Sequence, residues 1–217
     1  FYIYGSYKIN NDQEIIKETN QTINIKIISP NFNMRYIHSD EEIKKTINQI
    51  IRYSDPDPNK ETIFLWPEGI FAGVYLEDLK KFSNIFNKSF SKNHSIIFGV
   101  NTQNSTKEKF YNSLVVINNK FEVLYKYDKE KLVPFGEFLP FEYFLEKLGL
   151  KKITYGYGSF SKGNKQKNYK LNDLNILPLI CYEIIFPKFI QSSEKNTNFI
   201  VNISEDAWFG NSIGPHQ

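Results

Sequence analysis

Cys181 is the one cysteine in the chain, and chemistry-bearing residues are best sought outward from it. An apolar run, Ile176-Leu-Pro-Leu-Ile180, leads into it, Glu183 follows two positions on, and a second apolar run closes at Pro187. This is the pattern of a buried strand that ends in a sharp turn, with a helix beyond it. A thiol at such a junction meets free backbone N–H groups and a helix dipole, which favour the thiolate. The competing reading is a small buried hydrophobe, a common state of free cysteine. The local pattern weighs the two evenly.

Two more candidates also sit just past apolar strands. Thr62-Ile-Phe-Leu-Trp66 runs into Pro67-Glu68-Gly69, which presents a carboxylate at a strand end. Ligands of open α/β folds gather at strand ends; the plainer alternative is a solvated turn acid. A hairpin over residues 110–127 leaves into Lys129-Glu-Lys-Leu-Val-Pro-Phe-Gly-Glu137-Phe-Leu-Pro140. That segment is too rich in Pro and Gly for a helix or strand. With Val133, Phe135, Phe138 and Leu139 it is too apolar for an ordinary solvated loop. A structured loop presenting Lys129 and Glu137 is expected. The three strand ends can converge on one face, and the trio is chemically coherent. The Glu68 carboxylate can take the thiol proton. The Lys129 ammonium and the Tyr182 backbone N–H can hold an oxyanion, and losing one such donor costs about 3 kcal/mol. A Cys–His dyad gains no support, because His38, His94 and His216 are dispersed and none lies in a strand-end motif. No Cys pair, HxxxH, GxGxxG or P-loop is present, so no metal or other cofactor is expected.

The positioning elements follow from periodicity. Strands are expected at 23–28, 62–66, 95–100, 110–118, 121–127, 169–171, 174–180 and 198–203. Helices are expected at 40–53, capped by Ser39 or Asp40, and at 76–90, 142–150 and 184–192. Residues 151–167, rich in Gly, Ser and Lys, read as a mobile excursion. The alternation gives an α/β sandwich layered on sheets. With 217 residues, 41% hydrophobic and 16% aromatic, the chain can bury a real core. Net charge is +3 and the lysines alternate with acids, so no nucleic-acid footprint is expected. The chain opens at Phe1 on an aromatic run and closes at Gly214-Pro-His-Gln217 in mid-motif. Both ends are expected to be internal to a longer chain, and residues 1–9 suit either a strand or the interfacial end of a membrane helix.

Glu68, Lys129 and Cys181 resemble, in order and approximate spacing, the Glu–Lys–Cys triad of the nitrilase (carbon–nitrogen hydrolase) superfamily. Four segments are similar to the apolipoprotein N-acyltransferases within it. They are Trp66-Pro-Glu-Gly69, the stretch Tyr127 to Pro140, Ile180-Cys-Tyr-Glu183, and Asp206 to Gln217; Leu132-Val-Pro-Phe-Gly-Glu137 is the most specific. The resemblance covers residues 23–217. It implies a nitrilase-like αββα sandwich, C-terminally incomplete, set on a multi-span domain of the bacterial inner membrane and facing the periplasm. Residues 1–9 would then end the preceding membrane helix, and the piece alone is expected to be inactive. The activity implied is acyl transfer. A cysteine takes a fatty acyl chain from a phospholipid as a thioester and passes it to the N-terminal diacylglyceryl-cysteine amine of an apolipoprotein. Carried over, Cys181 is the nucleophile, Glu68 the base and acid, and Lys129 the oxyanion stabiliser, with Glu137 and Glu183 in support. Phe135, Phe138, Leu139 and Phe141 are candidates for membrane-facing residues, core packing being the alternative. The chain departs from the family at Ser204-Glu205, where Thr-Asn is more usual. Two rivals remain: a soluble amidase using the same triad, and a non-catalytic binding domain, which the intact triad disfavours.

Overall fold

The computed structural model describes residues 6–7, 23–30, 32, 39–140, 159–165, 167–191 and 196–205. The expected helix at 142–150 and most of the segment 1–9 lie outside them. Five strands form one sheet in sequence order: β1 (Asn24–Ile27), β2 (Thr62–Leu65), β3 (His94–Gln103), β4 (Phe110–Asn118) and β5 (Val123–Asp128). The first three are parallel and the last two antiparallel. A second sheet holds β6 (Tyr169–Leu171), β7 (Leu174–Ile180) and β8 (Phe199–Ile203), with β6 antiparallel and β8 parallel to β7.

Strand alternation sorts the apolar residues into layers. Phe64, Ile96, Phe98, Val115 and Ile117 face the helix layer, where Ile43, Ile47 and Ile50 of α1 (Asp40–Ser54) meet them. Ile63, Ile97, Leu114 and Val116 face the other way and pack on Ile176, Ile180, Val201 and Ile203 of the second sheet. Leu177 and Leu179 point out of that sheet onto Phe189 of α4 (Pro187–Gln191). The order of layers is therefore α-β-β-α, as expected of a nitrilase-like sandwich. Each fully buried Phe or Ile in these layers contributes about 2–3 kcal/mol through its area removed from water.

Helix α1 begins where Ser39 Oγ accepts the Glu42 N–H at 3.2 Å. It ends at Asp55, left-handed at φ 42°, whose N–H reaches Ile51 O. The expected helix 76–90 is broken into α2 (Leu76–Leu79), a 3-10 turn (Lys80–Phe82) and α3 (Ser83–Ser89). The Ser83 N–H bonds back to Lys80 O, a three-residue step. Apolar periodicity reports the buried face, and a tightened turn serves that face equally well. Among the described residues no helix is long and apolar enough to cross a membrane.

Candidate active site

Glu68 follows β2 in a turn that is held against β3. Gly99 of β3 lies so close that a Cβ there would be 2.7 Å from Glu68 Cα and 3.1 Å from Ile203 Cδ1. A glycine at 99 is thus what lets the acid descend onto the sheet. Behind it, Trp66 Nε1–H donates to Ser54 Oγ at 2.9 Å, tying the strand end to α1. Trp66 is 1% exposed and belongs to the core.

Lys129 follows β5 directly and is 2% exposed. Its Nζ is 3.0 Å from Glu137 Oε1 and 3.7 Å from Glu68 Oε1. Glu137 sits in a turn that its own side chain closes, with Oε2 accepting the Val133 N–H at 2.9 Å. The strap 159–163 crosses this loop: Phe160 N–H donates to Glu137 O, Ser161 N–H to Phe110 O and Gly163 N–H to Lys129 O. The expectation of a mobile excursion over 151–167 is corrected here for its described part, because those backbone bonds fix it. Residues 151–158 and 166 lie outside the described residues.

Asn112 of β4 completes this corner. Its Nδ2 donates to Glu68 Oε1 at 2.7 Å and to Glu137 Oε1 at 2.8 Å. Two carboxylates thus share one ammonium and one amide. The sequence reading missed Asn112, since an Asn on an alternating strand looks like a solvated position.

Cys181 follows β7 at φ 52°, a left-handed conformation that a residue with a Cβ adopts at a cost of about 1–2 kcal/mol. A 3-10 turn (Cys181–Ile185) continues from it, and α4 starts only at Pro187. Among the described residues the expected helix at 184–192 is therefore a 3-10 turn plus a short α-helix, so the thiol meets the 3-10 turn first and not the start of an α-helix. Burial raises the thiol above its ordinary value, and the Glu68 charge raises it further. Lys129, a Ser204 hydroxyl contact and the Tyr182 N–H pull it down without reversing the direction. The direction of this shift, left open by the sequence, is upward, because desolvation and a neighbouring anion outweigh the backbone N–H groups of the short turn. Ser204, where the chain departs from the family pattern, is one of the groups touching it.

The other ionisations follow the same balance. Burial raises Glu68; Lys129 and Asn112 oppose it, Glu137 adds to it and the Cys181 contact opposes it. For Lys129 burial favours the neutral amine, but Glu68, Glu137 and Cys181 together outweigh it and the ammonium is retained.

Glu183, 0% exposed, does different work. Its Oε1 accepts from Tyr127 Oη–H at 2.7 Å and from the Glu130 and Lys131 N–H groups at 2.8 and 2.9 Å. Its Oε2 accepts the Ile180 N–H at 3.0 Å. One buried carboxylate thereby joins the residue before Cys181 to the two residues after Lys129. The Tyr182 side chain is 39% exposed and stacks edge-on with Phe186, leaving its N–H as its contribution to the thiol. In the loop, Phe135 is 46% exposed and Leu139 is 7% exposed, so Leu139 is core; Phe141 lies outside the described residues.

Strand ends of two sheets, packed face to face between helices, bring a carboxylate and an ammonium beside a thiol in a carbon–nitrogen hydrolase architecture. The profile of the family described as carbon-nitrogen hydrolase matches residues 60–217, and the chain belongs to that family. In fold it is similar to the NitN amidase from Neterenkonia sp. AN1, with TM-score 0.56 at 14% identity over 84% of this chain and 67% of that one. A carbon-nitrogen hydrolase from Helicobacter pylori G27 gives TM-score 0.55 at 15% identity over 84% and 59%. In sequence the chain is similar to the apolipoprotein N-acyltransferase of Rhizobium leguminosarum bv. trifolii, 36% identical over 73% of this chain and 30% of that protein. Against the apolipoprotein N-acyltransferase of Wigglesworthia glossinidia brevipalpis it is 34% identical over 89% of this chain and 39% of that protein. The chain spans between 30% and 39% of the length of these two relatives.

Proposed function

We propose that this chain is the catalytic portion of an apolipoprotein N-acyltransferase, with residues 23–217 as its carbon–nitrogen hydrolase domain. The observation that carries the reading is the Lys129 ammonium held between Glu68 and Glu137, with the Cys181 thiol acting on Glu68 and Lys129. The similarity to proteins of that name over 73% and 89% of the chain narrows the substrate. Glu68 takes the Cys181 proton, and the thiolate attacks an ester carbonyl of a phospholipid. Lys129 and the Tyr182 N–H hold the oxyanion as the C=O electron pair moves to oxygen. The C–O bond then breaks, the leaving alkoxide takes the proton back from Glu68, and an acyl thioester remains on Cys181. In the second half the α-amine of an N-terminal diacylglyceryl-cysteine attacks the thioester and gives its proton to Glu68; the thiolate leaves and is reprotonated. The site belongs on the periplasmic side of the bacterial inner membrane, where both substrates lie. Glu137 holds Lys129 in place, and Glu183 positions the nucleophile turn.

The test is transfer in detergent by the whole enzyme of which this chain is the catalytic portion, with phospholipid and a synthetic lipopeptide bearing the free diacylglyceryl-cysteine amine. The reading expects the lipopeptide to gain one fatty acyl chain with wild type and not with Cys181→Ala. Turnover of simple aliphatic amides with no dependence on phospholipid would instead favour the amidase reading.

A further inference from the structure

Among the described residues, Asn112 is the one uncharged side chain whose hydrogen bonds reach both carboxylates of the site. Its amide is flanked by two oxygen acceptors, Glu68 Oε1 and Glu137 Oε1, so both of its N–H bonds are committed to them. The Lys129 ammonium addresses the same two oxygens. Glu137 Oε2 is occupied by the Val133 N–H. Glu68 Oε2 is left: it is buried and has no hydrogen-bond partner among the described residues. We propose that Asn112 is a positioning residue that turns the Glu68 carboxylate so that Oε2 alone is open to the Cys181 proton, and that directs this proton to Glu68 rather than Glu137.

The physics is an accounting of acceptor sites. A carboxylate oxygen that already accepts an amide N–H and faces an ammonium is a poor proton acceptor, whereas a buried oxygen with no donor is a good one. Three of the four oxygens of the pair are satisfied and one is not, which makes the acid–base group directional. The groups that face Glu68 are Lys129 after β5, Glu137 in the following loop, Cys181 after β7 and the Asn112 amide itself. In the forward step the S–H bond breaks and an O–H bond forms at Oε2, leaving thiolate and neutral carboxyl. In the return the same proton leaves Oε2 for the departing group. This inference rests on the reading of Cys181 as nucleophile, but it does not depend on the acyl donor.

Thiol alkylation by iodoacetamide, followed against pH in the full chain, tests it without any lipid. Removing the amide donor makes Glu68 easier to protonate, so the acid limb of the rate profile should move to higher pH. Asn112→Ala should raise the midpoint of that limb by about one pH unit. Asn112→Asp, the same shape with an added negative charge, should shift it further. A folded variant whose limb coincides with that of wild type would overturn the proposal, since a merely structural Asn changes the melting temperature and leaves the limb in place. If neither variant folds, infrared titration of the carboxyl stretch still decides, with wild type compared against Glu68→Gln and Glu137→Gln. The proposal expects the carboxyl that protonates at the higher pH to vanish in Glu68→Gln and to persist in Glu137→Gln; the opposite assignment overturns it. A shifted limb with no lipid transfer would sink the acyltransferase reading and leave this inference standing. Transfer with an unmoved limb would do the reverse.

Discussion

At the scale of single residues, two carboxylates share one ammonium, and that imbalance governs how the site responds to pH. Glu68 is raised above its ordinary 4.5, chiefly by burial. The folded state therefore holds this proton at a pH where the unfolded chain has lost it. Its contribution to stability is complete below about 4.5 and is lost as pH rises through the folded value. Glu68→Gln should accordingly melt at a higher temperature than wild type at pH 8 while losing activity, and the gap should close by pH 4. A lower melting temperature at pH 8 would contradict the assignment of Glu68 as a strained, buried anion. Lys129 acts in the opposite sense on the thiol, which it pulls down. Lys129→Met should slow iodoacetamide alkylation of Cys181 at pH 8 by about tenfold or more, read as loss of thiol mass over time. An unchanged rate would detach the lysine from the nucleophile.

Glu183 and Gly99 act at the scale of elements. Glu183→Ala would strand three donors, the Ile180 and Lys131 N–H groups and the Tyr127 hydroxyl, while the Glu130 N–H keeps Tyr127 Oη at 3.3 Å. At about 1 kcal/mol or more for each group left unpaired, the loss should reach about 3 kcal/mol. For a chain of this size that is roughly 10 °C in melting temperature. Tyr127→Phe removes one donor and leaves the acceptor with three, so its cost should be about 1 kcal/mol. Equal costs for the two would mean that the carboxylate does not act as the joint between the β5 loop and the Cys181 turn. How legible these features are in sequence follows from where each residue sits. Glu68, Lys129 and Cys181 can be read because each ends an apolar strand, and strand ends are visible in hydrophobic pattern. Asn112 is hidden because it lies inside an alternating strand, where a polar residue reads as solvent-facing. The short 3-10 turn after Cys181 is hidden because Ile184 and Ile185, at 43% and 54% exposed, look like the buried face of a helix. The direction of the thiol shift depends on burial and on Glu68, which are tertiary facts that local pattern does not hold.

The whole molecule places the site across a seam. Glu68 and Lys129 come from the five-stranded sheet and Cys181 from the three-stranded one, so the apolar layer between the sheets sets their separation. Leu114→Ala, in that layer, should cost about 2–5 kcal/mol and also slow Cys181 alkylation well below the melting temperature. Phe86→Ala, in the layer between sheet and helices, should cost a similar amount and leave alkylation close to wild type. If the two variants lose reactivity in parallel, the seam is not what positions the thiol. The central claim is that Cys181 carries the acyl chain. Its most direct test is intact mass spectrometry of the whole enzyme that contains this chain after incubation with phospholipid, beside Cys181→Ala. The account predicts a gain of one fatty acyl mass on wild type that neutral hydroxylamine removes and that the variant never shows. A folded wild type with a thiol that alkylates but takes up no acyl mass would contradict it, as would an adduct that persists in Cys181→Ala.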